Sequence, residues 1–137
     1  MLRVATLTRA VLLTGDIGRR EEEALAARYG RALASDVLLA PHHGSRGASG
    51  EALLQAVAPH WGVFSAGYRN RYRHPHPQTL ARYRAQGAGV LRTDRLGALQ
   101  IDLGETLAVG AFRRQAPRYW RVRAEAGDDE VTAAVGR

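Results

Sequence analysis

The residues best suited to chemistry fall at two places in the chain. Pro41-His42-His43-Gly44-Ser45 follows directly on the apolar run Val37-Leu38-Leu39-Ala40, and Thr14-Gly15-Asp16 follows Val11-Leu12-Leu13. A carboxylate and an imidazole, each just past a buried strand, are hard or borderline donors that suit a hydrolytic divalent-metal centre. Strand ends are also where an open α/β sheet meets its ligands. Taken alone, Asp16 reads as a cap for the helix that follows it. The paired histidines carry more weight, because two in a row before Gly44-Ser45 are uncommon in a loop without a task. Adjacent residues on an extended segment point opposite ways, so one of them is expected to bind metal and the other to support it by hydrogen bonding. His43 is the favoured ligand, since the following glycine gives it room, and His42 is the reserve choice.

A third cluster lies in the loop Ser65-Ala66-Gly67-Tyr68-Arg69-Asn70-Arg71-Tyr72-Arg73-His74-Pro75-His76-Pro77. His74 and His76 have a spacing that can chelate, but no acidic residue or third histidine follows, and the two prolines stiffen the loop. Alternatively His74 meets a substrate, hydrogen-bonding a phosphate oxygen or protonating a leaving group. Asn70 with Arg69, Arg71 and Arg73 would then stabilise growing negative charge, with Ser45 close to the histidine pair as a further phosphate contact. A solvated basic loop is the competing reading. Thr93-Asp94 before Gly97 reads as a tight turn between strands, which leaves Asp94 and Thr93 as candidates to orient a ligand from behind.

The elements that must position these groups follow from periodicity and punctuation. Val4 to Ile17 reads as one strand. Arg19 to Leu33 reads as a helix, with Glu21-Glu22-Glu23 at its positive end and Leu25, Tyr29 and Leu33 facing the core. Val37 to Ala40 is a short buried strand. Ser49 is placed to cap a helix over residues 50–57. Trp61 to Ala66 is a strand, Gln78 to Gln86 a helix, and residues 90–93, 98–103 and 106–112 complete the set. The resulting order, β-α-β-α-β-α-β-β-β, indicates a layered α/β domain.

The 137 residues and 45% apolar content fit one globular domain, and the absence of cysteine excludes disulfides and thiolate metal sites. No apolar stretch approaches the roughly 20 residues that span a bilayer, and the first residues make a poor signal peptide. The formal charge is +7, and every basic residue is arginine. A lysine-free, Ala- and Gly-rich chain reflects base composition in the genome first, and phosphate recognition where the arginines cluster. From Arg113 to Arg123 a basic aromatic segment could stack on nucleic acid or pack on the domain, and the polar stretch to Arg137 is expected to fray.

In their order, Leu-Leu-Thr-Gly-Asp-Ile, Leu-Leu-Ala-Pro-His-His-Gly-Ser, Ser-Ala-Gly-x-x-Asn-x-Tyr-x-His-Pro-His-Pro and Arg-Thr-Asp-x-x-Gly-Ala-Leu resemble one known family. It is the C-terminal metallo-β-lactamase-fold domain of ComEC-type DNA-uptake channel proteins of bacterial natural competence. The likeness runs from about Arg3 to Phe112, and the arginine-rich part of the tail (residues 113–137), ending near Tyr119-Trp120, is similar as well. It implies half of a four-layered αβ/βα sandwich and a metal-dependent nuclease thought to degrade the strand that is not imported. By this likeness Asp16 bridges two metals, zinc or manganese, His43 or His42 is the last histidine ligand, and His74 and Asn70 lie at the substrate phosphate.

The main metal motif of that family, H-x-H-x-D-H, belongs to the first half of its domain and does not occur in this chain. The expectation is therefore a fragment that is weak or inactive alone. Its partners would be DNA, single-stranded or duplex, the upstream half of the domain, and the membrane channel of a parent protein in the bacterial inner membrane. A half domain should also leave one sheet face uncovered and prone to homo-association. The competing function is a non-catalytic nucleic-acid-binding module.

Overall fold

A computed structural model describes residues 1–115, so most of the expected basic tail, including Arg118 to Arg123, lies outside the described residues. Four parallel strands form the centre: β2 (Ala10–Leu13), β3 (Val37–Leu39), β4 (Trp61–Phe64) and β5 (Gly89–Arg92). Their runs AVLL, VLL, WGVF and GVLR are nearly continuous in apolar character, as strands covered on both faces must be. The strand β1 (Leu2–Ala5) adds antiparallel to β2, giving the order β1-β2-β3-β4-β5. The single strand expected from Val4 to Ile17 is thus a hairpin. Its turn is made by the Thr6 hydroxyl, which accepts the N–H groups of Thr8 at 3.3 Å and Arg9 at 3.0 Å.

Strands added in sequence order by crossovers of one hand place all their helices on one face. That face carries Leu12, Leu38, Phe64 and Val90, packed against Leu33, Leu53, Leu54, Val57, Leu80 and Tyr83. The covering helices are α1 (Arg19–Tyr29), α2 (Glu51–Val57) and α3 (Pro77–Ala85). Leu25 packs against this core and Leu33 is buried in a 3₁₀ turn, but Tyr29 is exposed under the Arg28 guanidinium rather than facing inward. Phe64 and Tyr83 meet edge to face at 4.9 Å, a geometry contributing about 0.5–1.5 kcal/mol beyond area burial.

The opposite sheet face is not left bare. The hairpin β6 (Leu99–Leu103) and β7 (Leu107–Ala111), with Leu96 of the short helix α4 (Thr93–Leu96), covers Val37, Trp61, Val63 and Leu91. Among the described residues, the β1–β2 end of that face is left open, with Leu2 58% and Val4 43% exposed. The tight turn expected at Thr93-Asp94 is this one-turn helix, ended by Gly97 at φ +77°. A last short helix, α5 (Phe112–Gln115), is tied back by Arg113, whose Nη1 donates to the carbonyls of Asp94 and Arg95. The mixed α/β class read from the sequence is therefore present, as three layers among the described residues.

At the amino ends of the parallel strands, Asp36 accepts from Arg9 Nη1 at 2.9 Å and from the Ala10 N–H at 2.8 Å, with His60 Nδ1 at 3.4 Å. Burial works against its charge, but the Arg9 and Ala10 donors outweigh it and hold the carboxyl below its ordinary range. A carboxyl lowered by folding adds stability above its unfolded value, and that stability disappears as pH falls through the folded value. Asp36→Asn should cost about 2 kcal/mol at neutral pH and flatten the acid limb of the stability curve below about pH 4. Parallel acid limbs in urea titrations of both proteins would refute this account.

Candidate metal and phosphate site

The carboxyl ends of β2, β3 and β4 converge on one rim. Thr14 is buried, and its hydroxyl donates to the Leu39 carbonyl at 2.7 Å, fixing the exit of β2 against β3. Gly15 then turns at φ +68°, and its carbonyl accepts the His42 N–H at 3.1 Å, which brings the two turns together. Asp16 follows with its carboxylate in solvent. Beyond β3 the chain forms a tight 3₁₀ turn from Pro41 to Gly44, in which His42 and His43 both have left-handed backbone, φ 48° and 55°. The expected extended segment at this pair is therefore absent, and the rings diverge because the backbone coils. Gly44 is required for a reason its position after His43 does not suggest. At φ +78° its Cα lies so close to the neighbouring chain that a Cβ would stand 2.5 Å from Phe64 and 2.9 Å from Pro75. Gly44→Ala should lower stability by about 3 kcal/mol, by strain and overpacking together. A chemical-denaturation midpoint equal to that of the parent chain would contradict this.

His43 is oriented from both sides. Its Nδ1 lies 2.8 Å from the Ser65 carbonyl, which can only accept, so Nδ1 carries the proton. The Nε2 atom then faces Asp16 Oδ1 at 3.6 Å. A lone pair set against a carboxylate is favourable when a proton or a cation lies between them. His42 instead stands edge-on to His74, ring centroids 6.4 Å apart. The structure thus brings Asp16 and His43 together and separates His42 from them. Among the described residues, no three His, Asp or Glu side chains form a cation cage. The two donors, with the tautomer fixed by Ser65, fit part of a divalent-ion site.

His74 occupies the floor beside this pair. Among the described residues its Nδ1 is buried without a hydrogen-bond partner, and burial, followed by the nearness of His42, His43 and His76, lowers its pKa. Asn70 holds it: the Asn70 Oδ1 accepts the His74 N–H at 2.9 Å, and Nδ2 donates to the carbonyls of His74 and Gly67 at 2.7 and 3.1 Å. The partner in the H-x-H pair has a different task, since His76 Nδ1 accepts the Gln78 N–H and caps α3. Arg69, Arg71 and Arg73 are all exposed on this loop. Ser45 lies below the turn, with its carbonyl accepting from the Thr79 hydroxyl at 2.7 Å. Thr93 accepts the Ala66 N–H and donates back to that segment, which steadies the stretch carrying Ser65. Asp94 is held in a two-pronged pair by Arg92, at 3.0 and 2.6 Å, on the far side of that strand end.

Sequence reasoning missed the clamp that fixes the loop behind the histidines. Ser49 does not cap α2: it sits at φ +59° with its hydroxyl 3.0 Å from that of Tyr83, whose own ionisation burial pushes well up. Gly50 is the cap, and fully buried Glu22 accepts the N–H groups of Ser49 at 2.8 Å and Gly50 at 2.6 Å. From the other side Arg82 donates to the carbonyls of Arg46, Ala48 and Ser49. Nothing in the run Glu21-Glu22-Glu23 singles out the middle residue. In the fold, Glu21 caps its own helix through the Gly18 N–H, Glu23 pairs with Arg19, and Glu22 serves the next helix.

No protein-family profile matches the chain. It is 42% identical over 121 residues to Competence protein ComA of Neisseria gonorrhoeae, covering 88% of this chain and 18% of that protein. It is 38% identical over 89 residues to ComE operon protein 3 of Bacillus subtilis, covering 65% of this chain and 11% of that one. Recombination protein 2 of Haemophilus influenzae is 32% identical over 115 residues, 82% of this chain and 14% of its own length. The chain spans less than a fifth of the length of these curated relatives. It is accordingly similar to a short segment of bacterial proteins named for competence and recombination.

Proposed function

We propose that this chain serves bacterial DNA uptake by contributing to phosphodiester hydrolysis in DNA, with a divalent metal, zinc or manganese, held in part by Asp16 and His43. The observation that carries the reading is the approach of His43 Nε2 to the Asp16 carboxylate, at 3.6 Å, where parallel strands end. The names and identities of the competence relatives support the DNA-uptake setting. Zinc in a catalytic site takes three protein ligands, so the remaining donors come from another stretch of polypeptide. A bound divalent ion would polarise a phosphate oxygen and offset charge on it.

The chain's own residues would do the rest. The Nδ1–H bond to Ser65 keeps the His43 ring from turning, and Thr93 steadies Ser65. His74, its pKa lowered, stays neutral at pH 7 and sets an imidazole beside the His43 turn for a phosphate to meet. Asn70 fixes its backbone, while Arg69, Arg71, Arg73 and Ser45 face the negative backbone of the substrate. Asp94 acts at a distance by holding Arg92 at the same strand end.

The test is a titration of manganese into the isotope-labelled chain, followed by magnetic resonance. Signals of Asp16 and His43 should broaden before any others, and a chelator should restore them. Broadening that begins elsewhere, or evenly along the chain, removes the site.

A further inference from the structure

The loop between β4 and α3 carries two tyrosines that the chemistry above does not use. Tyr68 is 49% exposed and Tyr72 64%, both on the rim that holds His74. Each ring has a guanidinium against it: Arg71 lies 4.7 Å from the Tyr72 centroid, and Arg69 and Arg113 lie 5.2 and 5.7 Å from that of Tyr68. Tyr72 also stacks on the His74 ring at 5.8 Å, with 20° between the planes.

These rings are held in place. Asn70 bonds to Gly67 and His74 across the loop, and Arg113 is anchored on the Asp94 and Arg95 carbonyls. Arg69 and Arg73 have φ 52° and 55°, in the left-handed region that bulky side chains rarely adopt. Strain of that kind persists where the surroundings enforce it, and it gathers at ligand clamps.

We infer that Tyr68 and Tyr72, each with its guanidinium, form a nucleobase-stacking shelf beside the Asp16–His43 site, so that nucleic acid is gripped by its bases as well as its phosphates. The inference rests on the reading that the site takes DNA. A planar guanidinium on an aromatic face can carry a base on its outer side, or yield the ring to a base and move to a phosphate. Every base has a π-face, so such a shelf accepts any sequence. In a duplex those faces are already covered by neighbouring pairs, so the shelf selects unpaired strand. The contact between Tyr72 and His74 sets a stacked nucleotide directly beside that imidazole.

The full 137-residue chain would be titrated, by fluorescence anisotropy, with an oligothymidylate, an abasic deoxyribose-phosphate oligomer of equal length and charge, and a duplex of that length. The oligothymidylate should bind about tenfold more tightly than the abasic strand, as one well-stacked base implies. In the double variant Tyr68→Leu, Tyr72→Leu that difference should vanish with the salt dependence unchanged, and Tyr68→Phe, Tyr72→Phe should retain it. Equal binding of the abasic and base-bearing strands by the parent chain overturns the shelf and leaves the DNA reading intact. A base-dependent difference that survives in the double Leu variant also overturns it, since the stacking then lies elsewhere. Failure to bind any of the three at low salt overturns the shelf and the DNA reading together.

Discussion

His43→Ala should weaken manganese or zinc binding by the chain at least about 100-fold. Loss of a group that merely supports a ligand typically costs 10–100-fold, and His43 is placed as one of two donors. Asp16→Ala should weaken it comparably, because each donor holds the same ion. His42→Ala is the internal control: that ring faces His74, away from Asp16, and its removal should change metal affinity severalfold at most. Calorimetry on the three variants reads this directly. If His42→Ala proved the damaging change and His43→Ala the silent one, the assignment would be reversed, and with it the role of Ser65.

Glu22→Ala is expected to remove about 4 kcal/mol of folding stability, roughly a 1,000-fold change in the folding equilibrium. The carboxylate is fully buried and takes two backbone N–H groups, at Ser49 and Gly50. Alanine leaves both amides buried without an acceptor, each costing about 1–3 kcal/mol, and opens a cavity. Glu22→Gln should lose about half as much, since its amide offers one acceptor oxygen and turns a donor toward the second amide. Urea unfolding with unchanged slope would measure both. A loss below about 1 kcal/mol for the alanine variant would mean that water replaces the carboxylate with ease.

The parallel sheet could be read from the chain because four short apolar runs, each followed by a turn signal, leave little else for those residues to be. The β1–β2 hairpin escaped because its turn, Thr6 to Arg9, contains neither glycine nor proline; a threonine hydroxyl does the work those residues usually do. Asp16 and the histidine pair were visible as donors at strand ends, but their separation was not. That distance depends on the Gly15 carbonyl meeting the His42 amide, a contact between two turns 27 positions apart that no local pattern encodes. The coiling of His42 and His43 was hidden for a different reason. Their left-handed backbone lies in a turn whose Gly44 is seated close to Phe64 and Pro75, neighbours that only the fold supplies. The surroundings of Tyr68 were not legible either, because only the fold sets Arg113 beside it.

The opposed grip of Glu22 and Arg82 on residues 46–50 also fixes how long that stretch can be. One charge gathers amide hydrogens and the other gathers carbonyl oxygens from the same few peptide units. An inserted or deleted residue would throw both sets out of phase at once. The number of residues between Gly44 and α2 is therefore held constant.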